Sequence, residues 1–237
     1  IKSAYKSNYG DNYKDSLNQA LTSAGYKNLS EYRQRMIKQI QYANFLLDYI
    51  DDHFDDIFND YYQQCAPKYV SLIKISVSDT SSPTDDETSK LNEVKELISN
   101  TDKSFGDIAQ DYSNDSTSSK KGSLGIVDSK DTSGIANSYG KDVFNAIEAL
   151  SEGQVSDVIT GDDGYYFVKV TSTDKKTLKK ELKKTDIDSP LLAYDDYLQY
   201  VVYNSYKINY KDKDIKKIVQ EVVNKALEER KTERGEA

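Results

Sequence analysis

The sequence predicts an α+β chain: a small, mainly antiparallel sheet with surrounding helices, set between N- and C-terminal helical segments. Three observations carry this. The stretches before Pro67 and after Ser189 place apolar residues at helical steps of three and four. The run Val70-Ser-Leu-Ile-Lys-Ile-Ser-Val77 is β-branched and partly alternating, as a strand requires. From there to Thr171, single strands alternate with short helices and finish in a hairpin, the signature of a mixed unit of about 100 residues.

Each element has a local reason. Leu17, Ala20, Leu21 and Ala24 share one helical face, and Gly25 stops that helix. Asn28 with Glu31 forms a capping-box pattern that opens a long amphipathic helix through Tyr32, Met36, Ile40, Ala43, Leu47 and Ile50. The acidic pairs Asp51-Asp52 and Asp55-Asp56 mark a break and a new start, since carboxylates favour helix N-termini. Ile57, Phe58, Tyr61 and Tyr62 then pack a short helix ending before Pro67. After the first strand, residues 78–86 read as a loop, Leu91, Val94, Leu97 and Ile98 as a helical stripe, and Phe105, Ile108 and Ala109 as a shorter one. The polar residues 113–121 read as an exposed loop. Leu124-Gly-Ile-Val127 is a short strand, 143–150 a helix, and 158–160 with 165–171 the closing strands. The lysine-rich segment to Lys184 reads as a linker or exposed helix. Ser189-Pro190 restarts helix with an N-cap and an N1 proline, and Leu191, Leu192, Tyr194, Tyr197, Leu198 and Val201 supply its apolar bulk. The last helix carries Ile215, Ile218, Val219, Val222, Val223, Ala226 and Leu227 on one face, with 228–237 a frayed end.

Composition excludes several function classes. The chain has 237 residues and a formal charge of -8, which repels nucleic acid and anionic headgroups, so no nucleic-acid partner is expected. Cys65 and His53 are the only residues of their types, which removes disulfides, Ser-His and Cys-His nucleophilic systems and zinc-type clusters within one chain. Cys65 reads as a buried small hydrophobe and His53 as a solvated helix-end residue. Asp51-Asp52 and Asp85-Asp86 lack companions at calcium-loop spacing, so no metal site is expected. No apolar run reaches the length of a membrane span. The chain opens at Ile1, and a removed upstream segment with a signal peptide is expected.

Four stretches stand in close order: Phe105-Gly-Asp-Ile-Ala-Gln-Asp-Tyr-Ser-Asn-Asp115, Gly122-Ser-Leu-Gly125, Phe144-Asn-Ala-Ile-Glu-Ala-Leu-Ser-Glu-Gly-Gln-Val-Ser156, and Gly164-Tyr-Tyr-Phe-Val-Lys-Val170. This series resembles a parvulin-type peptidyl-prolyl isomerase domain. Its placement between helical segments, with Ala20-Leu-Thr-Ser-Ala-Gly25, Tyr61-Tyr62 and Tyr210-Lys-Asp-Lys-Asp-Ile215, is similar to the PrsA-type foldase lipoproteins of Gram-positive membranes. The implied layout is an N-terminal helical part (1–66), a parvulin-like domain (67–174) and a C-terminal helical part (175–237), the outer two forming one discontinuous helical domain.

The resemblance implies an isomerase that needs no cofactor, because rotation about an X-Pro bond breaks no covalent bond. It implies a substrate pocket of Leu72, Leu124 and Phe144, with Asp115 and Tyr166 as the catalytic candidates. Leu72 and Tyr166 stand where the family usually carries histidine, and Gly-Gly-Asp-Leu-Gly is shortened to Gly122-Ser-Leu-Gly125. A degenerate cleft with weak or lost turnover follows. The implied partners are unfolded or proline-containing polypeptides and a second copy of the chain, on the outer face of the cell membrane, with membrane contact confined to a lipid anchor outside this chain. The alternative is a purely noncatalytic chaperone or surface interaction module.

Overall fold

The computed structural model describes residues 1–183, 189–194 and 208–233. Two compact units are present, Ile1–His53 and a second that begins at Phe54.

The first unit is helical: α1 (Lys2–Tyr9), α2 (Tyr13–Ser23) and α3 (Leu29–Asp52). Leu17 and Leu21 are the buried residues of α2, and Gly25 follows with φ +80°, the left-handed geometry of a helix stop. Asn28 caps α3 by accepting the Glu31 N–H at 3.0 Å, while the Glu31 carboxylate accepts the Lys27 N–H at 2.7 Å. The burial along α3 differs from the stripe expected through Met36 and Ile40. Ile40 is 56% exposed, and the buried positions are Leu46, Tyr49 and Ile50 near the C-terminal end. Spacing gives a helix an apolar face, but only the packed turns hide it. His53 closes α3 as an exposed residue with its ring 4.4 Å from that of Tyr49.

The second unit opens with α4 (Phe54–Cys65), which buries Phe54, Ile57, Phe58, Tyr61 and Cys65. Burial pushes the Cys65 thiol up to about 12, so it behaves as a small hydrophobe. The sheet follows, with β1 (Lys68–Ser76), β2 (Ser123–Val127), β3 (Ile159–Thr160) and β4 (Gly164–Ser172) in the order β2-β1-β4-β3. Every neighbouring pair is antiparallel. On one face Ile73, Ile75 and Phe167 pack against α5 (Asp85–Asn100) and α6 (Phe105–Tyr112). On the other, Val70, Leu72, Tyr166 and Val168 pack against α7 (Ile135–Tyr139) and α8 (Lys141–Ala149). Strand alternation assigns the two sets to opposite faces.

Caps fix the helix starts. Thr84 and Glu87 form a reciprocal capping box for α5, and Ser104 accepts the Asp107 N–H at the start of α6. Lys68, at the start of β1, donates to the carbonyls of Ile147, Glu148 and Leu150 at 2.9, 2.7 and 3.1 Å, placing a cation on the C-terminal carbonyls of α8. Asp128 is fully buried. It accepts the Tyr61 hydroxyl at 2.7 Å, the Lys130 and Thr132 amides at 3.0 and 3.2 Å, and the Thr132 hydroxyl, so α4 is tied to the turn after β2.

Residues 113–121 are not the loose loop their polarity suggests. Ser113 Oγ accepts the Lys74 N–H at 3.0 Å, Asn114 N–H donates to the Lys74 carbonyl at 2.8 Å, and Ser116–Lys120 forms a 3-10 turn. Serine and asparagine here supply hydrogen bonds to a strand edge rather than to water. The lysine-rich segment forms α9 (Lys175–Leu182) with Leu178 and Leu182 buried, and Ser189 caps α10 (Pro190–Ala193). Tyr197, Leu198 and Val201 lie outside the described residues, as do 234–237. The last helix, α11 (Lys213–Glu233), departs from expectation twice. Ile215, Ile218 and Val222 are 55–64% exposed, while Val219, Val223 and Leu227 are partly covered. Its C-terminal turns are anchored, since Arg230 pairs with Asp60 of α4 at 3.3 Å.

One glycine fixes the sheet. Gly122 has φ +75°, and a Cβ there would sit 2.4 Å from the Leu72 carbonyl oxygen and 2.8 Å from the Ala109 side chain. Its own carbonyl accepts the Leu72 N–H at 2.8 Å. Gly122→Ala therefore combines backbone strain with a backbone clash, and a loss of about 2–4 kcal/mol is expected in urea unfolding. A loss below about 0.5 kcal/mol, the range of ordinary surface changes, would contradict this close approach.

Candidate functional site

The sheet face that carries α7 and α8 brings most of the sequence-predicted residues together. Leu72 on β1 and Tyr166 on β4 belong to one buried cluster with Val143 and Ile147, and Leu124, Tyr139 and Phe144 pack against it half-buried. Leu72 is fully buried and forms the floor rather than a surface that a ligand touches first. Leu124 reaches the cluster from β2 and Phe144 from α8, so two partly exposed apolar side chains stand over that floor.

Polar groups line the rim. Tyr166 lies opposite Lys74 in the β1–β4 register. Its hydroxyl donates to Asp163, and the Lys74 ammonium pairs with the same carboxylate while lying 5.6 Å from the centre of the Tyr166 ring. The Lys74 ammonium, followed by the Tyr166 hydroxyl, holds the Asp163 carboxyl below the usual range. Burial, then the Asp163 carboxylate, raises the Tyr166 hydroxyl. The ring fits because position 161 is glycine: a Cβ there would come within 2.6 Å of it. Tyr139 meets Tyr166 edge-to-face with ring centres 6.2 Å apart.

Asp115 sits at the same rim but is largely occupied. It caps the 3-10 turn by accepting the Thr117 N–H and hydroxyl at 2.8 and 2.6 Å, and the Tyr139 hydroxyl reaches it at a long 3.5 Å. Burial and the charge of Asp115 push the Tyr139 hydroxyl up to about 12. Sequence reasoning passed over Lys74, Tyr139, Gly161 and Asp163. The alternation Val70-Ser-Leu-Ile-Lys put Lys74 on the same face as Leu72, and that period was the available signal. Nothing local marked Tyr139 or Gly161, whose roles arise from packing across the fold.

Chemically, this is an apolar cluster with partly exposed Leu124 and Phe144 at its surface, bordered by two protonated hydroxyls, a carboxylate and a neutralised Lys–Asp pair. It suits binding an apolar ring beside a polar amide. Among the described residues no cluster of His, Cys, Asp and Glu could hold a metal ion, and no helix is long and apolar enough to cross a membrane.

The PPIC-type PPIASE domain (Rotamase) family matches residues 72–172. The chain is 32% identical over 141 residues to Foldase protein PrsA of Staphylococcus aureus (strain MRSA252) and equally to that of Staphylococcus epidermidis (strain ATCC 12228 / FDA PCI 1200). Each match covers 56% of this chain and 41% of the relative, so less than half the length of these relatives is represented. Among solved structures, PrsA from Bacillus subtilis aligns over 90% of this chain and 75% of that one at 22% identity and TM-score 0.40. The solution structure of TbPIN1 aligns over 45% and 98% at 18% identity and TM-score 0.37. Residues 72–172, which contain Leu72, both hydroxyls and Asp115, are thus the part of the chain that is similar to PPIC-type PPIASE domains, within a longer stretch similar to Foldase protein PrsA.

Proposed function

We propose that the chain is an extracytoplasmic foldase that holds unfolded secreted polypeptides and turns over their X-Pro bonds slowly. The observation that carries the reading is the cluster of Leu72, Leu124, Phe144, Tyr139 and Tyr166, partly exposed at Leu124, Phe144 and Tyr139 and with Asp115 beside it, inside the family-matched residues. The relatives' designation as foldases supports the client class. The helical parts 1–66 and 175–237 act as one discontinuous client-holding domain. Its support is the convergence of Tyr194 and Arg230 on Asp60 of α4, which ties residues of the C-terminal part to the last helix of the N-terminal part. Lipid anchoring outside this stretch, a site on the outer face of the membrane and self-association complete the proposal.

The proline ring would sit between Leu124 and Phe144 over Leu72, with Tyr139 and Tyr166 beside the amide. Twisting the amide removes its resonance, a barrier of about 18–20 kcal/mol. Only contacts that strengthen in the twisted state lower that barrier, at about 1.4 kcal/mol per tenfold in rate. The Tyr139 hydroxyl, held by Asp115 at a long 3.5 Å, can turn to supply such a contact and Tyr166 can do so on releasing Asp163, whereas Leu72 supplies packing alone, so turnover below that of a histidine-bearing cleft follows.

In a protease-coupled assay on a proline peptide, Phe144→Ala is expected to lower kcat/KM at least about tenfold. Tyr166→Phe is expected to lower it by roughly three- to tenfold with the fold intact by circular dichroism. Equal rates in all three proteins would sink the assignment of the recess. Should the parent chain show no turnover above the uncatalysed rate, the noncatalytic holding role stands instead, a reading favoured by the buried, hydrogen-bond-free side chain of Leu72.

The pH dependence has a defined sign. With Tyr139 raised to about 12 and Tyr166 raised in the same direction, both hydroxyls stay protonated in the folded chain through the ordinary tyrosine range. Turnover should therefore lack an alkaline limb below about pH 10, the ordinary tyrosine value. A fall in kcat/KM centred near pH 8 would show that these hydroxyls are not the groups in use.

A further inference from the structure

We propose that Asp163 is a positioning residue that holds the Tyr166 hydroxyl back from proline turnover, so that a contact inside the fold restrains the site. The inference rests on the reading that X-Pro bonds turn over beside Leu124, Phe144, Tyr139 and Tyr166. It adds a second reason for slow turnover, besides the packing-only side chain of Leu72, and assigns it to a residue that touches no substrate.

A phenol has a single proton to give. The Tyr166 proton goes to the Asp163 carboxylate, and what remains on the oxygen is lone pairs, which only accept. An amide twisted out of resonance offers acceptors too: its carbonyl oxygen and a nitrogen whose lone pair is no longer delocalised. A hydroxyl therefore assists the twisted amide by donating to it. The competition for the proton is unequal, because a hydrogen bond to a carboxylate is about twice as strong as one to a neutral acceptor. The paired state wins, and Tyr166 helps only in the fraction of encounters in which Asp163 has let go.

The surroundings keep that acceptor in place. The Asp163 side chain is 64% exposed, and a carboxylate so exposed would ordinarily turn to water. Here Lys74, only 17% exposed and opposite Tyr166 in the strand register, pairs with it and fixes its direction. Tyr166 itself is 3% exposed, so solvent is no ready substitute acceptor for its hydroxyl. The two tyrosines are thus unequal. Tyr139 reaches Asp115 at 3.5 Å, the weak end of hydrogen bonding, whereas Tyr166 is held by a charged acceptor that is itself clamped. Burial, then Asp163, then the charge of Asp115 raise the Tyr166 hydroxyl, which puts it within the field of both carboxylates.

The test uses the full chain in the protease-coupled assay, as the parent and as Asp163→Ala, Asp163→Asn, Tyr166→Phe and the double variant Asp163→Ala with Tyr166→Phe. Asp163→Ala is expected to raise kcat/KM by roughly three- to tenfold, with the gain in kcat, because the released contact is made only to the twisted amide. Asp163→Asn keeps the side chain's shape and leaves a neutral acceptor, so a smaller gain in the same direction is expected. In the double variant the gain should vanish and leave the rate of Tyr166→Phe, the non-additivity that marks two coupled residues. General damage to the fold would lower turnover, not raise it through one hydroxyl. In a chain labelled with ¹³C at tyrosine Cζ, the Tyr166 resonance, assigned by its loss in Tyr166→Phe, should move in Asp163→Ala. The proposal is overturned if neither Asp163 variant turns over faster than the parent, if the gain persists in the double variant, or if the Tyr166 resonance stays where it was. No turnover in any of the proteins, parent included, would instead remove the underlying reading and the proposal with it, so the parent's own rate tells the two failures apart.

Discussion

The contact between Gly122 and Leu72 is the constraint on which the second unit depends. Strand β1 has β2 on one side and β4 on the other, and its middle residue donates its N–H to the Gly122 carbonyl. Approach that close is open only to a residue without Cβ. Once the backbone at 122 is seated, β2 is delivered to the β1 edge, residues 113–115 reach Lys74 and Ser76 further along, and Asp115 lands at the rim of the recess. A register slip of one residue would turn Leu72 and Ile73 onto each other's faces and empty both cores.

The polar interior works alongside that constraint. Asp128 is buried with four donors converging on it, which offsets the cost of removing a carboxylate from water and ties α4 to the sheet unit. The Asp128 charge, after burial itself, raises the Tyr61 hydroxyl, so this tyrosine remains a donor. Lys68 does the corresponding work for the carbonyls that end α8, and α8 carries Phe144. The apolar recess is thus positioned by charges that lie outside it.

Much of this fold was legible in the sequence because it rests on local rules. The helix break between Asp52 and Phe54, the β1 run, the Thr171 hairpin end and the Ser189-Pro190 start depend on periodicity and capping, and each stands within a residue or two of expectation. Leu72, Leu124, Phe144 and Tyr166 were gathered by motif order, and they meet in one cluster. What escaped depends on contacts distant in sequence. Period gave α11 a single apolar face, yet Ile215 and Ile218 are exposed because burial depends on what packs alongside. Asp163 and Lys74 are 89 positions apart, and only the β1–β4 register makes them a pair beneath Tyr166. Composition made 113–121 a loop, whereas Ser113 and Asn114 are strand-edge partners.

Together these contacts leave an apolar cluster whose polar neighbours are already paired: Tyr166 with Asp163, Asp163 with Lys74, and Asp115 with Thr117. On the proposed reading, pairing of these groups within the fold favours binding of an apolar ring more than fast turnover. The most direct measurement is a structure of the chain with a bound proline-containing peptide. The account predicts the prolyl ring against Leu124 and Phe144 with the preceding carbonyl within reach of the Tyr139 or Tyr166 hydroxyl. A peptide bound with its proline in solvent, or a recess closed by Phe144 against Leu124, would contradict it.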